Sequence, residues 1–360
     1  MSDWSEERRH DEMRSAFARA ERAHRDGIHE VWYSFGSHAV RTRIIGSRLA
    51  QRLASPFQHL QWQGNAPSAA RLTIDLWDQL EAGIAADIDV APDPLGVSSS
   101  FSSSDDERFV TSVLQHSITS FDRQEERIVG VALDADRLSL YERGRPLHVP
   151  LALWYNDIDI PLIHAALVSH EGSGVLLAGP SGVGKTTSSM SCMAAGFRYL
   201  ADDLAGLEIR PDGSPWGHSV YGSAFVDEQT FLRLPGVLDE HAIPGRYDYE
   251  DKQLVLLHQT GSAALMSHTK IQVIALVQIA DEGRTRVRPA TKGESLLAMA
   301  RSSLQGGVLS PGKRGFELLG RLSDGVPSFW LELGTDAEET PKRLRDLLSG
   351  LPDATERSPT

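Results

Sequence analysis

Cysteine is nearly absent from this sequence of 360 residues, which holds a single one, Cys192. One cysteine cannot form a disulfide within the chain or supply a thiolate-rich metal site, so a reducing compartment is expected. Long apolar runs are also missing, since no segment approaches the roughly 20 residues that a membrane-spanning helix needs. The first residues, MSDWSEERRHDEMR, are too charged for a signal peptide. These absences predict a cytoplasmic protein.

An excess of positive charge is missing as well. The 36 Lys and Arg residues face 49 Asp and Glu residues, a formal net charge of −13. Because nucleic-acid binders usually carry a basic face, we expect neither a nucleic acid nor a membrane as partner. The composition, 41% apolar and 24% charged, is that of a soluble globular protein. The length favours two domains, and a homo-oligomer is possible.

Residues 1–148 are predicted to form an α+β domain in which the sequence shows no catalytic motif. Residues 6–25 have helix-forming composition but a thin apolar stripe, which favours a solvated helix over a partner-binding one. A second helix is predicted around 43–54, and a strand–turn–strand pair over 127–147. The segment 92–107 is rich in Pro, Ser and Asp and is predicted to be a mobile loop.

Residues 149–349 have the pattern of an α/β domain. Two apolar strand runs flank the turn at residues 170–172, and a glycine-rich loop and a helix follow. Further strands are predicted for IQVIALVQIA and PSFWLELG, and further helices for GESLLAMARSSL and DAEETPKRLRDLLSGL. Residues 350–360 are predicted to be a disordered tail.

Residues 179–186, GPSGVGKT, match the phosphate-binding pattern G-x-x-x-x-G-K-[ST] in full. The glycines let the backbone curl so that successive N–H groups point at phosphate oxygens. Lys185 is placed to reach the β- and γ-phosphates, and the hydroxyl of Thr186 to bind Mg²⁺. An apolar strand precedes the loop, and the helix after it can end at Gly196. The predicted nucleotide-binding residues are Gly179, Pro180, Ser181, Gly182, Val183, Gly184, Lys185, Thr186 and Thr187.

An acidic doublet, Asp202 and Asp203, follows Lys185 by 17 and 18 residues. The helix from Lys185 to Gly196 covers about 18 Å, and the strand after it returns about 17–20 Å. A right-handed crossover should therefore bring the doublet back to the level of the phosphate loop. Adjacent strand residues point to opposite faces, so the two carboxylates should have different roles, such as holding Mg²⁺ and accepting a proton. The alternative is that one aspartate only caps a turn.

His164 lies 15 residues before Gly179, on a strand that should neighbour the one leading into the phosphate loop. A lone histidine at such a position is more often a hydrogen-bonded core residue than a member of a site. The residues by themselves assign it no role.

The order and spacing of these elements resemble those of HPr kinase/phosphorylase, a bacterial P-loop serine kinase. No N-K-x-D segment of Ras-like GTPases and no L-S-G-G-Q segment of transporter ATPases is present. The matching stretches are IHAALVSHEGSGVLLAGPSGVGKT and GFRYLADDLAGLEI. The resemblance is close over residues 160–210 and loose to about 340. It implies a P-loop kinase core of the HPr kinase/phosphoenolpyruvate carboxykinase type, with ATP (GTP not excluded) and Mg²⁺ as cofactors.

The resemblance also implies roles for individual residues. Asp202 becomes the base toward a serine hydroxyl and Asp203 its Mg²⁺-linked partner, although these two roles could be exchanged. Lys185 and His164 complete the implied catalytic set, and Thr186 with Asp203 the metal set. The glycine-and-arginine signature of the family cannot be aligned with residues 222–257. The chain therefore looks like the divergent, HPr-kinase-like group, some of whose members phosphorylate a serine of a lasso-peptide precursor.

Residues 233–258 are expected to determine substrate specificity. Arg233, Arg246 and Lys252 are candidates for neutralising phosphate charge or holding a carboxylate, against the alternative that each is a solvated surface cation.

Three functions follow from these residues. The first is a kinase that transfers the γ-phosphate of ATP to a serine of a peptide or small protein. The second is a kinase of a small-molecule alcohol or acid, and the third is a nucleotide-binding regulatory module with little or no transfer activity.

Overall fold

The computed structural model describes residues 4–91, 100–245, 251–257, 264–280, 283–304 and 312–351. By compactness the chain divides into two units. The first comprises Met1–Pro161 with the segments Tyr221–Phe225 and Ala242–Gln259, and the second comprises Leu162–Val220, Val226–His241 and Thr260–Thr360.

The first half of the chain alternates short helices with strands of one mixed sheet. Its elements are α1 (Glu6–Ala23), β1 (Ile28–Phe35), β2 (His38–Ile45), α2 (Ser47–Phe57), β3 (Leu72–Asp78), α3 (Gln79–Ala82), β4 (Ser100–Ser103), β5 (Phe109–Val113), β6 (Ser117–Asp122), β7 (Arg127–Ala132), α4 (Leu140–Gly144) and α5 (His148–Asp157). Seven strands lie in the order β1-β2-β3-β7-β6-β5-β4, parallel at β2–β3 and β3–β7 and antiparallel elsewhere.

The helix predicted over 6–25 is present as α1, but the prediction that it is solvated is wrong. Ser5 caps its N-terminus by accepting a hydrogen bond from the N–H of Arg8. Met13 and Phe17 are almost fully buried and pack with Trp77 in the core of the first unit. A thin apolar stripe suffices here because the helix lies on the sheet along that stripe alone.

Other local predictions in this half also need correction. Residues 43–45 belong to β2, so the helix predicted around 43–54 begins only at Ser47. The second strand predicted within 127–147 is the helix α4, because Ser139 and Glu142 form a capping box that starts a helix. Of the loop predicted over 92–107, residues 92–99 lie outside the described residues, and Ser100–Ser103 form strand β4 paired with β5.

The second half begins with a hairpin and leads into the phosphate loop. Its elements are β8 (Leu162–Ile163), β9 (Ala166–His170), β10 (Ser173–Ala178), α6 (Lys185–Ala194), β11 (Arg198–Ala201), β12 (Ala205–Ile209), β13 (Pro215–Ser219), β14 (Ser223–Asp227), α7 (Glu228–Arg233), β15 (Lys252–Leu256), β16 (His268–Ile279), β17 (Arg286–Pro289), α8 (Lys292–Leu304), α9 (Gly312–Gly325), β18 (Ser328–Leu333) and α10 (Glu339–Ser349). Strands β14 and β15 pair with each other.

The sheet of the second unit runs in the order β11-β9-β10-β16-β13-β12-β8, and β18 pairs with the C-terminal half of β16. Strand β10 is parallel to β16, which is parallel to β18. On one face Leu176 packs in a cluster with Met299 of α8 and Leu319 of α9. On the other face Val175 packs with Cys192 of α6 and residues of α10. Helices on both faces of a mixed sheet, parallel at β10–β16 and β16–β18, confirm the predicted α/β class.

The first compact unit extends to Pro161, whereas the sequence places the domain boundary at 148. A boundary between 148 and 149 would cut helix α5 at its first residue. Contacts of α5 with β5 and β6 attach it to the first sheet. No helix in the described ranges combines the length and the apolar character that a bilayer span requires.

The burial of α1 predicts a large stability loss for Phe17→Ala. Truncating a buried phenylalanine should lower the free energy of unfolding by about 3–5 kcal/mol, measured by urea denaturation. Asp11→Ala, at an exposed position of the same helix, should change it by less than about 0.5 kcal/mol. A loss equally small in both variants would contradict the packing of α1 in the core.

Candidate functional site

The phosphate loop lies between the C-terminal end of β10 and the start of α6. Gly182 and Gly184 have left-handed backbone angles, with φ of 81° and 98°, which glycine adopts without strain. Helix α6 begins at Lys185, and no side chain caps it. The first N–H groups of a helix have no partner within the helix, so this end of α6 forms a site suited to an anion.

Gly179 starts the loop at a point of close backbone approach. A Cβ atom at this position would lie 2.8 Å from the carbonyl oxygen of Val277 on the neighbouring strand β16. Only a glycine lets the two parallel strands keep this separation.

The ammonium group of Lys185 lies within the loop. Its Nζ atom donates hydrogen bonds to the carbonyl oxygens of Gly179 at 2.8 Å and Pro180 at 2.9 Å. The side chain is buried at 5% exposure. The charge is thus held at the loop, where a bound phosphate would compete with the two carbonyl groups for it.

The two threonines after Lys185 are half-buried and differ in their contacts. The Thr187 hydroxyl lies 2.7 Å from the hydroxyl of Thr230 on α7, which joins the first turn of α6 to α7. The main-chain oxygen of Thr186 accepts a hydrogen bond from the hydroxyl of Ser189.

The acidic doublet follows the crossover that leads out of the loop. Strand β11 pairs with β9, and β9 pairs with β10, both antiparallel, so β11 returns parallel to β10 with one strand between them. Gly196 ends the intervening helix with a left-handed φ of 90°. Asp202 and Asp203 lie in the bend directly after β11 and not on the strand itself.

The two carboxylates have different neighbours. Asp202 is buried, and its Oδ1 accepts a hydrogen bond of 3.3 Å from the hydroxyl of Tyr199. Asp203 forms an ion pair with Nε2 of His164, with the two side chains 28% and 24% exposed. One carboxylate thus faces the protein interior, and the other stands beside an imidazole nearer the surface.

His164 connects Asp203 to the phosphate loop through Ser302 of α8. Its Nδ1 lies 3.3 Å from the carbonyl oxygen of Ser302. The hydroxyl of Ser302 lies 2.7 Å from the carbonyl oxygen of His164 and 2.9 Å from that of Gly179. Both neighbours of the imidazole ring, the carboxylate of Asp203 and the carbonyl group of Ser302, carry acceptor oxygens. The result is a continuous polar network from Asp203 to Lys185.

The predicted substrate-binding cations are Arg233, Arg246 and Lys252. Arg233 is exposed at the end of α7, and Lys252 lies in β15, which belongs to the first compact unit. Arg246 lies outside the described residues. Ser302 and Thr230 leave no signal in the sequence because their partners are distant in the chain, whereas Tyr199 precedes Asp202 by three residues.

Within the described residues no group of three or more His, Cys, Asp and Glu side chains is arranged to hold a metal ion. The oxygen ligands available to Mg²⁺ would be the Thr186 hydroxyl and the doublet, with the remainder supplied by phosphates and water, as this ion prefers.

The single cysteine, Cys192 on α6, packs in the hydrophobic core. Burial raises the pKa of its thiol, so the reactive thiolate form is disfavoured.

Comparison with curated proteins finds relatives that are similar to part of this chain. HPr kinase/phosphorylase of Streptococcus thermophilus is 30% identical over 95 residues, 26% of this chain and 30% of the relative. The enzyme of Exiguobacterium sibiricum is 29% identical over 134 residues, 37% of each protein. Over these segments the chain is similar to HPr kinase/phosphorylase. The resemblance seen in the sequence is confirmed, but the chain spans only about a third of the length of these HPr kinase/phosphorylases.

Two further comparisons add little to this relationship. No family model matches the chain. The Hpr(Ser) kinase/phosphatase of Coxiella burnetii aligns with 52% of this chain and 97% of its own, at 13% identity and a TM-score of 0.29. A score this low carries no argument about the fold.

The hydrogen bond between Tyr199 and Asp202 predicts a cost for Tyr199→Phe. Loss of the donor leaves a buried carboxylate with one bond fewer, so the free energy of unfolding should fall by about 1.5–3 kcal/mol in urea denaturation. Tyr33→Phe removes a hydroxyl from another buried tyrosine, for which the described residues show no hydrogen-bond partner, and should cost less than about 0.5 kcal/mol. Equal stability of wild type and Tyr199→Phe would contradict the bond.

Proposed function

We propose that this chain is a kinase that transfers the γ-phosphate of Mg²⁺-bound ATP to a serine hydroxyl of a peptide or small protein. The observation that carries the proposal is the polar network that connects Lys185 to Asp203 through Gly179, Ser302 and His164. Phosphoryl transfer needs a cradle for the triphosphate, a metal and a group that accepts the hydroxyl proton. Relatives named HPr kinase/phosphorylase support this class of reaction.

In this proposal the phosphate loop binds and orients the nucleotide. The backbone from Gly179 to Thr187 surrounds the phosphates, Lys185 leaves its carbonyl partners to reach the β- and γ-phosphates, and Thr186 binds Mg²⁺. Most of the catalytic effect then comes from orientation and from neutralising the charge on the transferred group. Mg²⁺ supplies part of that neutralisation when it is bound.

The doublet supplies the remaining groups. Asp202 accepts the proton of the serine hydroxyl, and Asp203, held by His164, is the Mg²⁺-linked partner. The roles can also be exchanged, and one observation is compatible with that second assignment. Asp203 is the more exposed carboxylate, and a base must be within reach of the acceptor hydroxyl. The imidazole of His164 would then take part in proton transfer.

The acceptor class separates this proposal from its alternatives. A lasso-peptide precursor would be one peptide substrate of this kind, whereas a small-molecule alcohol or acid would use the same nucleotide site. Incubating the chain with ATP labelled in the γ-phosphate, Mg²⁺ and either serine-containing peptides or small-molecule alcohols and acids tests all three functions. Mass spectrometry should find a peptide heavier by one phosphate. Label found only in inorganic phosphate, or nowhere, would favour the regulatory module.

Lys185→Ala should weaken nucleotide binding itself. Loss of the charge-assisted contacts to phosphate should raise the dissociation constant of Mg²⁺-ATP by roughly ten- to a hundredfold, measured by isothermal titration calorimetry. The matched control is Lys292→Ala, which removes an exposed lysine at the start of α8 and should bind ATP as wild type does. If Lys185→Ala bound Mg²⁺-ATP as tightly as wild type, the proposal that Lys185 binds the phosphates would be refuted.

Asp202→Asn should separate chemistry from binding. Loss of the base should lower the transfer rate by about 10²–10⁴-fold, while the dissociation constant of ATP stays within about twofold of wild type. Asp203→Asn should instead raise the Mg²⁺ concentration needed for half-maximal activity. The reverse pattern, with transfer abolished only in Asp203→Asn and Mg²⁺ dependence altered only in Asp202→Asn, would exchange the two roles.

A further inference from the structure

Ser302 occupies an unusual place on α8. It lies in the last turn of the helix at 1% exposure, and its hydroxyl is within 2.9 Å of two carbonyl oxygens, those of His164 and Gly179. A serine hydroxyl has one proton, so it is shared between these two acceptors or alternates between them. The main-chain oxygen of the same residue lies beside Nδ1 of His164. Ser302 thus contacts both the phosphate loop, at Gly179, and the histidine beside the acidic doublet, His164.

The carbonyl group of Gly179 has two donors in this structure, the ammonium of Lys185 at 2.8 Å and the hydroxyl of Ser302 at 2.9 Å. Lys185 also binds the carbonyl oxygen of Pro180 at 2.9 Å. The ammonium group has three protons, so donating to both the β- and the γ-phosphate would leave it one proton for the two carbonyl oxygens. Ser302 is then the donor that remains on the Gly179 carbonyl.

A carbonyl oxygen without a donor is unfavourable at this point. Gly179 is buried, so its carbonyl group has little access to water, and an unsatisfied buried acceptor costs about 1–3 kcal/mol. A carbonyl oxygen near a phosphate also repels it.

We propose that Ser302 is a positioning residue of the nucleotide site, whose hydroxyl holds the Gly179 carbonyl while Lys185 engages the phosphates. This inference rests on the proposed function, because it needs a nucleotide in the loop. Ser302 touches neither substrate nor the reacting atoms, and it acts through the first peptide group of the loop and through His164.

The neighbouring residue provides a matched control. Ser303 lies on the same turn of α8 and is buried at 3% exposure, but its hydroxyl has no hydrogen-bond partner among the described residues. Ser302→Ala and Ser303→Ala therefore remove the same atom from almost the same depth of one helix. Only the first substitution deprives the loop of a donor.

The test measures nucleotide affinity in both variants by isothermal titration calorimetry, with Mg²⁺ and an ATP analogue that cannot transfer its γ-phosphate. Ser302→Ala should bind about five- to tenfold more weakly than wild type, and Ser303→Ala within about twofold. In the transfer assay the loss should appear mainly as a higher KM for ATP. Ser302→Thr, which keeps the hydroxyl, should recover affinity, and thermal unfolding without nucleotide confirms that each variant is folded.

The outcomes separate this inference from the proposed function. Equal affinity of Ser302→Ala and Ser303→Ala, in a chain whose wild type transfers phosphate, would overturn the role of Ser302 and leave the kinase intact. Weaker binding in both variants to the same extent would also overturn it, because a packing defect of α8 would explain that result. A wild type that binds no nucleotide would remove both proposals together.

Discussion

The carbonyl oxygen of Gly179 is the point on which the site depends, since Lys185 and Ser302 both donate to it. One donor belongs to the helix that continues the loop, and the other lies 123 residues further along the chain. Glycine conformations permit the loop to curl, but they do not choose one curled form over others. The hydrogen bond from Ser302 of α8 to the same carbonyl group helps to select one conformation of the loop. A local motif thereby acquires a fixed geometry from a distant element.

The sheet of the second unit explains why these donors converge. Strand β10 is central, and its side chains alternate between two cores, Val175 toward α6 and α10 and Leu176 toward α8 and α9. Both faces are therefore covered, and the open position is the carboxyl end of β10, where ligands bind in open α/β sheets. Helices α6 and α8 reach that edge from opposite faces. His164, just before β9, and the doublet, just after β11, complete the surroundings.

The first unit is stabilised by different means. Helix α1 covers its sheet, and the fully buried Asp75 is bound by Arg43 and Arg127. Such a buried carboxylate is tolerated only because two guanidinium groups compensate its charge, and removing one of them would leave it uncompensated. The chain matches its curated relatives over at most 134 residues in the two comparisons given above. The chemistry we propose lies in the second unit.

Much of the site could be predicted from the sequence, because its motifs are local. The pattern GPSGVGKT specifies backbone N–H groups and a lysine within eight residues, and the lengths of one helix and one strand placed the doublet after the crossover. The hairpin before the loop and the later strands and helices of the second unit follow from hydrophobic periodicity, which reports the local environment of each segment.

What the tertiary structure decided is set by contacts between distant residues, which leave no local pattern in the chain. Ser302 and Ser303 are indistinguishable in sequence, yet only one of them reaches the loop. The thin apolar stripe of α1 did not indicate a buried helix, and at α4 a capping box overrode a strand-like pattern. Sequence determined which groups are present and their spacing along the chain. Packing determined which of them meet, because hydrogen bonds and burial depend on position in space.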